Sequence, residues 1–431
     1  MPVFLPVIAN WSSQVSETYE FATSIFTSEN GDEQRRSQIA IPRRTLRMGV
    51  LLDGDRRGRF AAAIARALDG DVEIPDHAAR QTRTTVAAPE GTSMLTVNVV
   101  PAWLTAGTVV ALANRRALHR LVVDSVSGNN VILAGAGAPA DVAPQSLLLP
   151  VLRGTLVPRT TLTMHTAGIA ETQIEVQQAP GTAQRSPSPL PFEEGDPLPQ
   201  IAGGAGLLEG RYVLLRKPNY ASAPQIEFSL PYRKVDYNRG VSRTFAPVPI
   251  ISRTVTASYF SRDRSEALAL LDIFLRCRGR AGEIYVPTWS EDIPRPIAIS
   301  GSSMTFAGTD LATTFGSDAA HRAVLIQTSA GQLAPREITS IVASGGNSVV
   351  TCRQPVEVEQ SAVRTVSWMF LARFAQDALT VDWRTDSVAD ISLSFTTLAN
   401  VPVEVLLSNW ILATGYWDDG GEWIDTSVWN D

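Results

Sequence analysis

Two eleven-residue stretches constrain this chain more than any other feature. Thr385 to Phe395 reads TDSVADISLSF, and Thr166 to Val176, 219 residues earlier, reads TAGIAETQIEV. Thr166 matches Thr385, Ala170 matches Ala389, and Glu171 faces Asp390. Ile391, Leu393 and Phe395 alternate with Ser392 and Ser394, the period of a strand with one buried face. That face is expected to pack toward a helix carrying Leu271 and Phe274; the first stretch has Thr172, Ile174 and Val176 in its place.

The rest of the chain repeats in the same order. Asn10-Trp11-Ser12-Ser13 returns as Asn219-Tyr220-Ala221-Ser222, and Tyr19-Glu20-Phe21 as Ile226-Glu227-Phe228. An Arg-bearing polar stretch follows each, and then Arg44-Thr45 and Arg253-Thr254 open similar strands. Each half next offers one helix. Asp263 with Glu266 has capping-box spacing, Leu268, Leu271, Phe274 and Leu275 form a face, and Gly279 gives the stop. In the first half the corresponding cap is Asp55, the face Phe60, Ile64, Ala67 and Leu68, and the stop Gly70. A strand closed by proline follows each helix, at Val72 to Pro75 and Glu283 to Pro287. Gly91-Thr92-Ser93-Met94 recurs as Gly301-Ser302-Ser303-Met304. Gly-Asn and Gly-Gly turns within 121–133 and 337–352 mark matching hairpins.

These matches predict a mainly β chain (β-rich α+β): a tandem duplication of a β-sandwich-like domain with one packed helix. Each copy carries an inserted small β barrel. The expected boundaries are 1–178 with an insert at about 86–150, a Pro/Gly/Ser-rich linker at 179–211, and 212–397 with an insert at about 297–366. Residues 398–431 form an aromatic and acidic tail. A period this long, present twice, is not a solenoid.

Little in the sequence points to chemistry. None of His77, His119, His165 and His321 has zinc-ligand spacing. Asp76-His77 reads as a solvated turn. Asp53-Gly54-Asp55 starts like a calcium loop, but its twelfth position is Ile64 rather than a bidentate Glu. Asp382, Asp386 and Asp390 read as a solvated face or a partner contact, and Cys277 and Cys352 as buried or bystander thiols of a reducing compartment. No Walker loop, GxGxxG or GxSxG occurs. The expectation is a non-enzyme with no cofactor or metal. With 43 acidic and 37 basic side chains, net charge −6, a free-standing nucleic-acid binder is disfavoured. No apolar run is long enough to span a bilayer, and the N-terminus lacks the basic flank of a signal peptide.

Two groups read as a subunit or partner interface. Arg35, Arg36, Arg43, Arg44 and Arg47, then Arg56, Arg57 and Arg59, with Arg239, Arg243, Arg253, Arg262 and Arg264 in the second copy, could meet acidic patches on a neighbour. In the tail, Trp417, Trp423 and Trp429 with Tyr416 either pack back on their own domain or anchor a partner, with a sugar platform as a third reading.

One family resemblance follows from these residues. Glu33-Gln34-Arg35-Arg36, Pro42-Arg43-Arg44-Thr45, the helix from Arg56 to Leu68 and Glu73-Ile74-Pro75 resemble minor tail proteins of long-tailed bacteriophages and gene transfer agents. Arg253-Thr254, the helix from Ser265 to Arg276, and Tyr285-Val286-Pro287 repeat the pattern. The resemblance implies a structural virion protein of the distal tail, assembled in the host bacterial cytoplasm. Its partners would be tail tube and hub or fibre proteins, in rings through which DNA passes without specific binding and without membrane insertion. Tubes of this class are hexameric and hubs trimeric, so a duplicated chain is expected to form a homotrimer with pseudo-six-fold symmetry, a hexamer being the runner-up. The alternatives are a receptor- or carbohydrate-binding tail protein and a baseplate cell-wall hydrolase, which would need a carboxylate pair or a Cys/His pair.

Overall fold

A computed structural model describes residues 2–28, 33–67, 70–114, 117–157, 160–180, 205–208, 211–229, 233–236, 242–245, 252–318, 320–398, 415–417 and 423–425. The chain is mainly β, with large antiparallel sheets. The first copy runs β1 (Val3–Phe4), β2 (Val15–Glu20), β3 (Thr23–Thr27), β4 (Glu33–Ser37), β5 (Arg43–Asp53), α1 (Gly54–Arg66) and β6 (Asp71–Pro75). Its insert holds β7 (Thr82–Arg83), β8 (Met94–Thr96), β9 (Val109–Asn114), β10 (Ala117–Ser127) and β11 (Asn130–Leu133). The long β12 (Leu147–Leu156) leads out of the insert, then β13 (Leu162–Met164) and β14 (Ile169–Gln178).

The second copy opens with β15 (Ala205–Leu208) and β16 (Arg211–Leu214), so the last residues assigned to the linker are a paired strand; 181–204 lie outside the described residues. It continues with β17 (Gln225–Ser229), β18 (Arg233–Asp236), β19 (Ser242–Phe245), β20 (Ser252–Ser261), α2 (Arg264–Cys277) and β21 (Ile284–Pro287). Its insert comprises β22 (Ala298–Ser300), β23 (Ser303–Ala307), a short unexpected α3 (Asp310–Phe315), β24 (Ala323–Thr328), β25 (Leu333–Ser344) and β26 (Asn347–Cys352). β27 (Val363–Phe374), β28 (Ala378–Trp383) and β29 (Ala389–Thr397) complete it. A final hairpin, β30 (Gly415–Trp417) and β31 (Trp423–Asp425), lies in the tail.

Strand pairings repeat between the halves. β1 runs parallel to β6 with Val3 opposite Val72, and β16 parallel to β21 with Tyr212 opposite Ile284. β14 lies antiparallel to β5 with Ala170 opposite Leu52, and β29 to β20 with Ala389 opposite Ser261. β2 pairs β5 with Tyr19 opposite Arg44, and β17 pairs β20 with Phe228 opposite Arg253. Tyr19 is therefore the counterpart of Phe228, two residues away from the alignment that sequence similarity suggested. Local hydrogen bonds repeat as well: the Asn10 amide donates to the Gly49 carbonyl and the Asn219 amide to the Ser258 carbonyl, both at 2.8 Å.

The two eleven-residue stretches are each a turn followed by a strand, because a threonine hydroxyl closes a loop first. Thr385 Oγ1 accepts from the Val388 amide at 3.0 Å, and Thr166 Oγ1 from the Ile169 amide at 3.0 Å. One helix departs from its expected cap and the other keeps it. α1 is preceded by Asp53, not Asp55, at the N-cap, with no side-chain bond. Asp263 does cap α2, accepting from the Glu266 amide at 3.0 Å. α2 ends on Arg278 in the left-handed region, ahead of Gly279.

Each insert has its own apolar core, around Val110, Leu112 and Val131 in the first copy and Phe306, Val324 and Val350 in the second. Each closes on itself. A Thr84–Val97 bridge joins the β7 and β8 ends, and an Ile293–Val366 bridge ties the start of the second insert to β27. The inserts begin a few residues before their expected starts. The two main domains, by contrast, share one core that includes Leu46, Met48, Phe274, Trp383, Leu393 and Phe395. α2 is its central element. It buries Ala267, Ala269, Leu270, Leu271, Ile273, Phe274, Leu275 and Cys277, whereas α1 buries only Phe60 and Ala63. The difference arises because α2 is covered from both sides: Phe274 meets Phe374 of its own copy at 5.1 Å and Phe21 of the other at 5.7 Å.

Candidate assembly interface

The two copies meet strand to strand. β2 of the first pairs antiparallel with β28 of the second, Val15 opposite Trp383 and Tyr19 opposite Leu379. The ladder order is thus β14, β5, β2, β28, β29, β20, β17, one sheet crossing both domains. On its polar face hydroxyls meet across strands, Thr18 with Thr380 at 2.8 Å and Thr256 with Ser394 at 2.9 Å, and the Ser16 hydroxyl donates to the Asp382 carboxylate at 2.5 Å.

On the core face Trp383 enters a polar socket of the first copy. Its ring is fully buried and its Nε1 donates to Glu17 Oε1 at 2.8 Å. Glu17 Oε2 accepts from Arg44 Nη2 at 2.9 Å and from the Tyr19 hydroxyl at 3.1 Å. Arg44 Nη1 reaches Asp76 at 2.8 Å, and Asp76 Oδ1 accepts from the Ala78 amide at 3.0 Å. From the second copy the Arg264 guanidinium stacks on Trp383 at 4.2 Å and donates to the carbonyls of Ala78 and Asp386. Burying these charges is tolerated because each carboxylate oxygen is satisfied by a donor. His77 sits beside the socket, fully buried, its Nε2 accepting from the Ala9 amide at 3.2 Å. Burial pushes its imidazole down to about 4, so it is neutral at pH 7.

Two expectations are corrected here. Asp76 and His77 are not on a solvated turn but are 6 % and 0 % exposed. Arg44 is not a surface residue available to a neighbouring subunit; it is 8 % exposed and fills the inside of the joint. Sequence reasoning placed the arginine correctly in a strand but took charge as a sign of exposure.

The other arginines fall into three settings. Arg35 lies on the β3–β4 hairpin, which reaches over the second copy: Arg35 Nη2 donates to Glu283 at 2.5 Å, and Glu33 accepts from Arg373 at 2.6 and 2.9 Å. Burial works to raise the Glu33 pKa, but the Arg373 bonds prevail and hold it below the usual range. The charge-matched contact of Arg35 is thus made within the chain. Arg36 and Arg43 are exposed. Arg253, half buried, stacks on Phe370 at 4.3 Å and Phe228 at 5.5 Å. Trp417 and Trp423 face each other in the register of β30 and β31; their side chains, and Trp429 altogether, lie outside the described residues. Asp382 and Asp390 sit opposite one another on neighbouring strands, bonded to Ser16 and Arg384, so the fourth-residue spacing bends round a turn. Cys277 and Cys352 are buried, their thiols pushed up by burial to about 12 and about 11.

The second copy has a counterpart of the socket with different chemistry. The matched registers set Pro224, Ile226, Phe228 and Arg253 where the first copy has Val15, Glu17, Tyr19 and Arg44. These four residues line an apolar cleft with Val286 and Phe370. Sequence reading missed Glu17 and Trp383, and it assigned Arg264 to a neighbouring subunit, whereas its guanidinium serves the joint inside the chain. The available signal was Glu17 itself, a carboxylate on the inward phase of an alternating strand.

Compared with protein-family models and with curated proteins, the chain gives no match.

Proposed function

We propose that this chain is a structural ring protein of a phage-type tail tip, joining a hexameric tail tube to a trimeric hub or fibre. The carrying observation is the joint itself: two copies of one domain stand edge to edge in a continuous sheet, related head to tail. A head-to-tail contact between like domains generates a ring whenever its rotation closes. Three chains of two copies each would supply six such domains, the stoichiometry that fits a six-fold neighbour on one side and a three-fold one on the other. The resemblance of Pro42-Arg43-Arg44-Thr45 and its repeat to distal tail proteins supplies the setting.

The polar sheet face supports the same reading. Thr18, Thr380, Thr256 and Ser394 present small hydroxyls that already bond one another, and Arg47 is engaged by Gln173 at 2.6 Å. Hydroxyls bonded in this way are not offered to DNA as base-reading groups, which suits passage without specific binding. The two β-barrel inserts, with separate cores, are free to serve as contacts for neighbouring tail proteins. The test is localisation with stoichiometry. Gold-labelled antibody should mark the distal end of tails, and quantified bands should give three chains per particle; six chains, or labelling elsewhere, would overturn the proposal.

A further inference from the structure

The joint inside the chain has an unfilled twin. Among the described residues β17 pairs only with β20, and β13 only with β14. β17 is the counterpart of β2, and β13 of β28, since Met164 lies opposite Ala170 as Trp383 lies opposite Ala389. In the first copy, β2 is buried at Val15, Glu17 and Tyr19 because β28 and Trp383 cover it. In the second copy every residue of β17 is exposed, with Ile226 at 49 % and Phe228 at 60 %. Met164 is 49 % exposed on the other open edge. Exposed edge strands carrying large apolar side chains are templates for pairing, and natural proteins usually blunt them with charge or proline.

We infer that β17 of one chain pairs antiparallel with β13 of a second copy, and that Met164 of that copy fills the apolar cleft beside Phe228. Carrying the β2–β28 register across sets Ile226 opposite Leu162 and Gln225 opposite Thr163. Chemistry matches at each socket. Trp383, with an N–H to donate, enters the socket that holds Glu17; Met164, with no polar hydrogen, meets the one where Ile226 replaces that carboxylate. Arg253 remains beside the cleft, but stacked on Phe370 and Phe228 instead of ion-paired as Arg44 is. The occupant is a second copy of this chain because the same fold supplies both halves of the contact and the chain already makes it once. The inference rests on the ring reading for its closure, though not for its pairing.

The experiment uses the full chain. Ile226→Cys with Leu162→Cys should give an intersubunit disulfide under mild oxidation, because side chains directly opposite in a ladder have Cβ atoms close enough to bridge. Glu227→Cys with Leu162→Cys should not cross-link, because a one-residue shift points the thiol to the other face. Phe228→Asp and Met164→Asp should each convert the assembly to monomer with the melting temperature of the monomer unchanged, both side chains being exposed in the single chain. Absence of the first cross-link, or an assembly that survives both aspartates, overturns the pairing even if a trimer is found, leaving the ring reading standing. Cross-linked open filaments uphold the pairing while sinking the trimeric ring. A wild-type chain that stays monomeric overturns the pairing.

Discussion

At the scale of single residues the joint depends on a few buried polar groups. Trp383→Ala removes a fully buried ring and is expected to cost about 3–5 kcal/mol, read as a lower denaturant midpoint. Trp383→Phe keeps most of the ring and deletes the bond to Glu17 at 2.8 Å, for a loss of about 1.5–3 kcal/mol. A Trp383→Phe loss near zero, beside a large Trp383→Ala loss, would contradict the role given to that bond. His77 makes stability pH-dependent. Its folded pKa is about 4 against an ordinary value of 6.5, so between these limits the unfolded chain binds the proton more readily. Stability should therefore fall as pH drops from about 6.5 toward 4, by up to about 1.4 kcal/mol per pH unit, and His77→Gln should flatten that slope. Glu33, its pKa lowered, adds a second loss at lower pH still, as its carboxylate protonates and releases Arg373.

At the scale of elements, strands were more legible than their edges. Ile391, Leu393 and Phe395 announce a half-buried strand through period alone, and they do pack in the core that holds Leu271 and Phe274. The hairpins at Ser127–Asn130 and Ser344–Asn347 were equally plain, because Gly-Asn and Gly-Gly leave few other turns. Edge pairing leaves no such mark. Nothing in β2 names the distant β28 as its partner, since the ladder between them is made by backbone groups common to all sequences. The Arg-rich segments misled for a related reason: Arg44 and Arg35 look alike in sequence, yet one is sealed by Glu17 and Asp76 and the other grips Glu283 across the joint. Where α2 ends, the joint also dictates a glycine. Gly279 has φ +64°, and a Cβ there would lie 2.7 Å from Asp377 Oδ1 and 3.3 Å from Phe21 Cβ. Gly279→Ala should destabilise by about 1–3 kcal/mol in thermal unfolding, while Gly58→Ala, on α1 with open space around it, should be neutral or stabilising.

At the scale of the molecule, the duplication was readable but its consequence was not. Sequence similarity defines two copies and suggests two domains; the structure gives one core through both, with α2 between them and only the inserts standing on cores of their own. Loosening the joint should accordingly be felt on both sides. Hydrogen exchange of Trp383→Ala should lose protection in β5 as well as β20, with β9 to β11 and β24 to β26 unchanged; loss confined to β20 and β29 would show two independent domains. Halves locked head to tail, with a matching pair of edges open among the described residues, fit the proposal that the chain repeats its internal contact to close a ring. Reconstruction of a tail tip that contains this chain tests it most directly. The expected result is three chains whose six domains form one continuous wall, each β17 laid against the β13 of the next chain. A ring of six chains, or three chains touching through their inserts with β17 left bare, would contradict it.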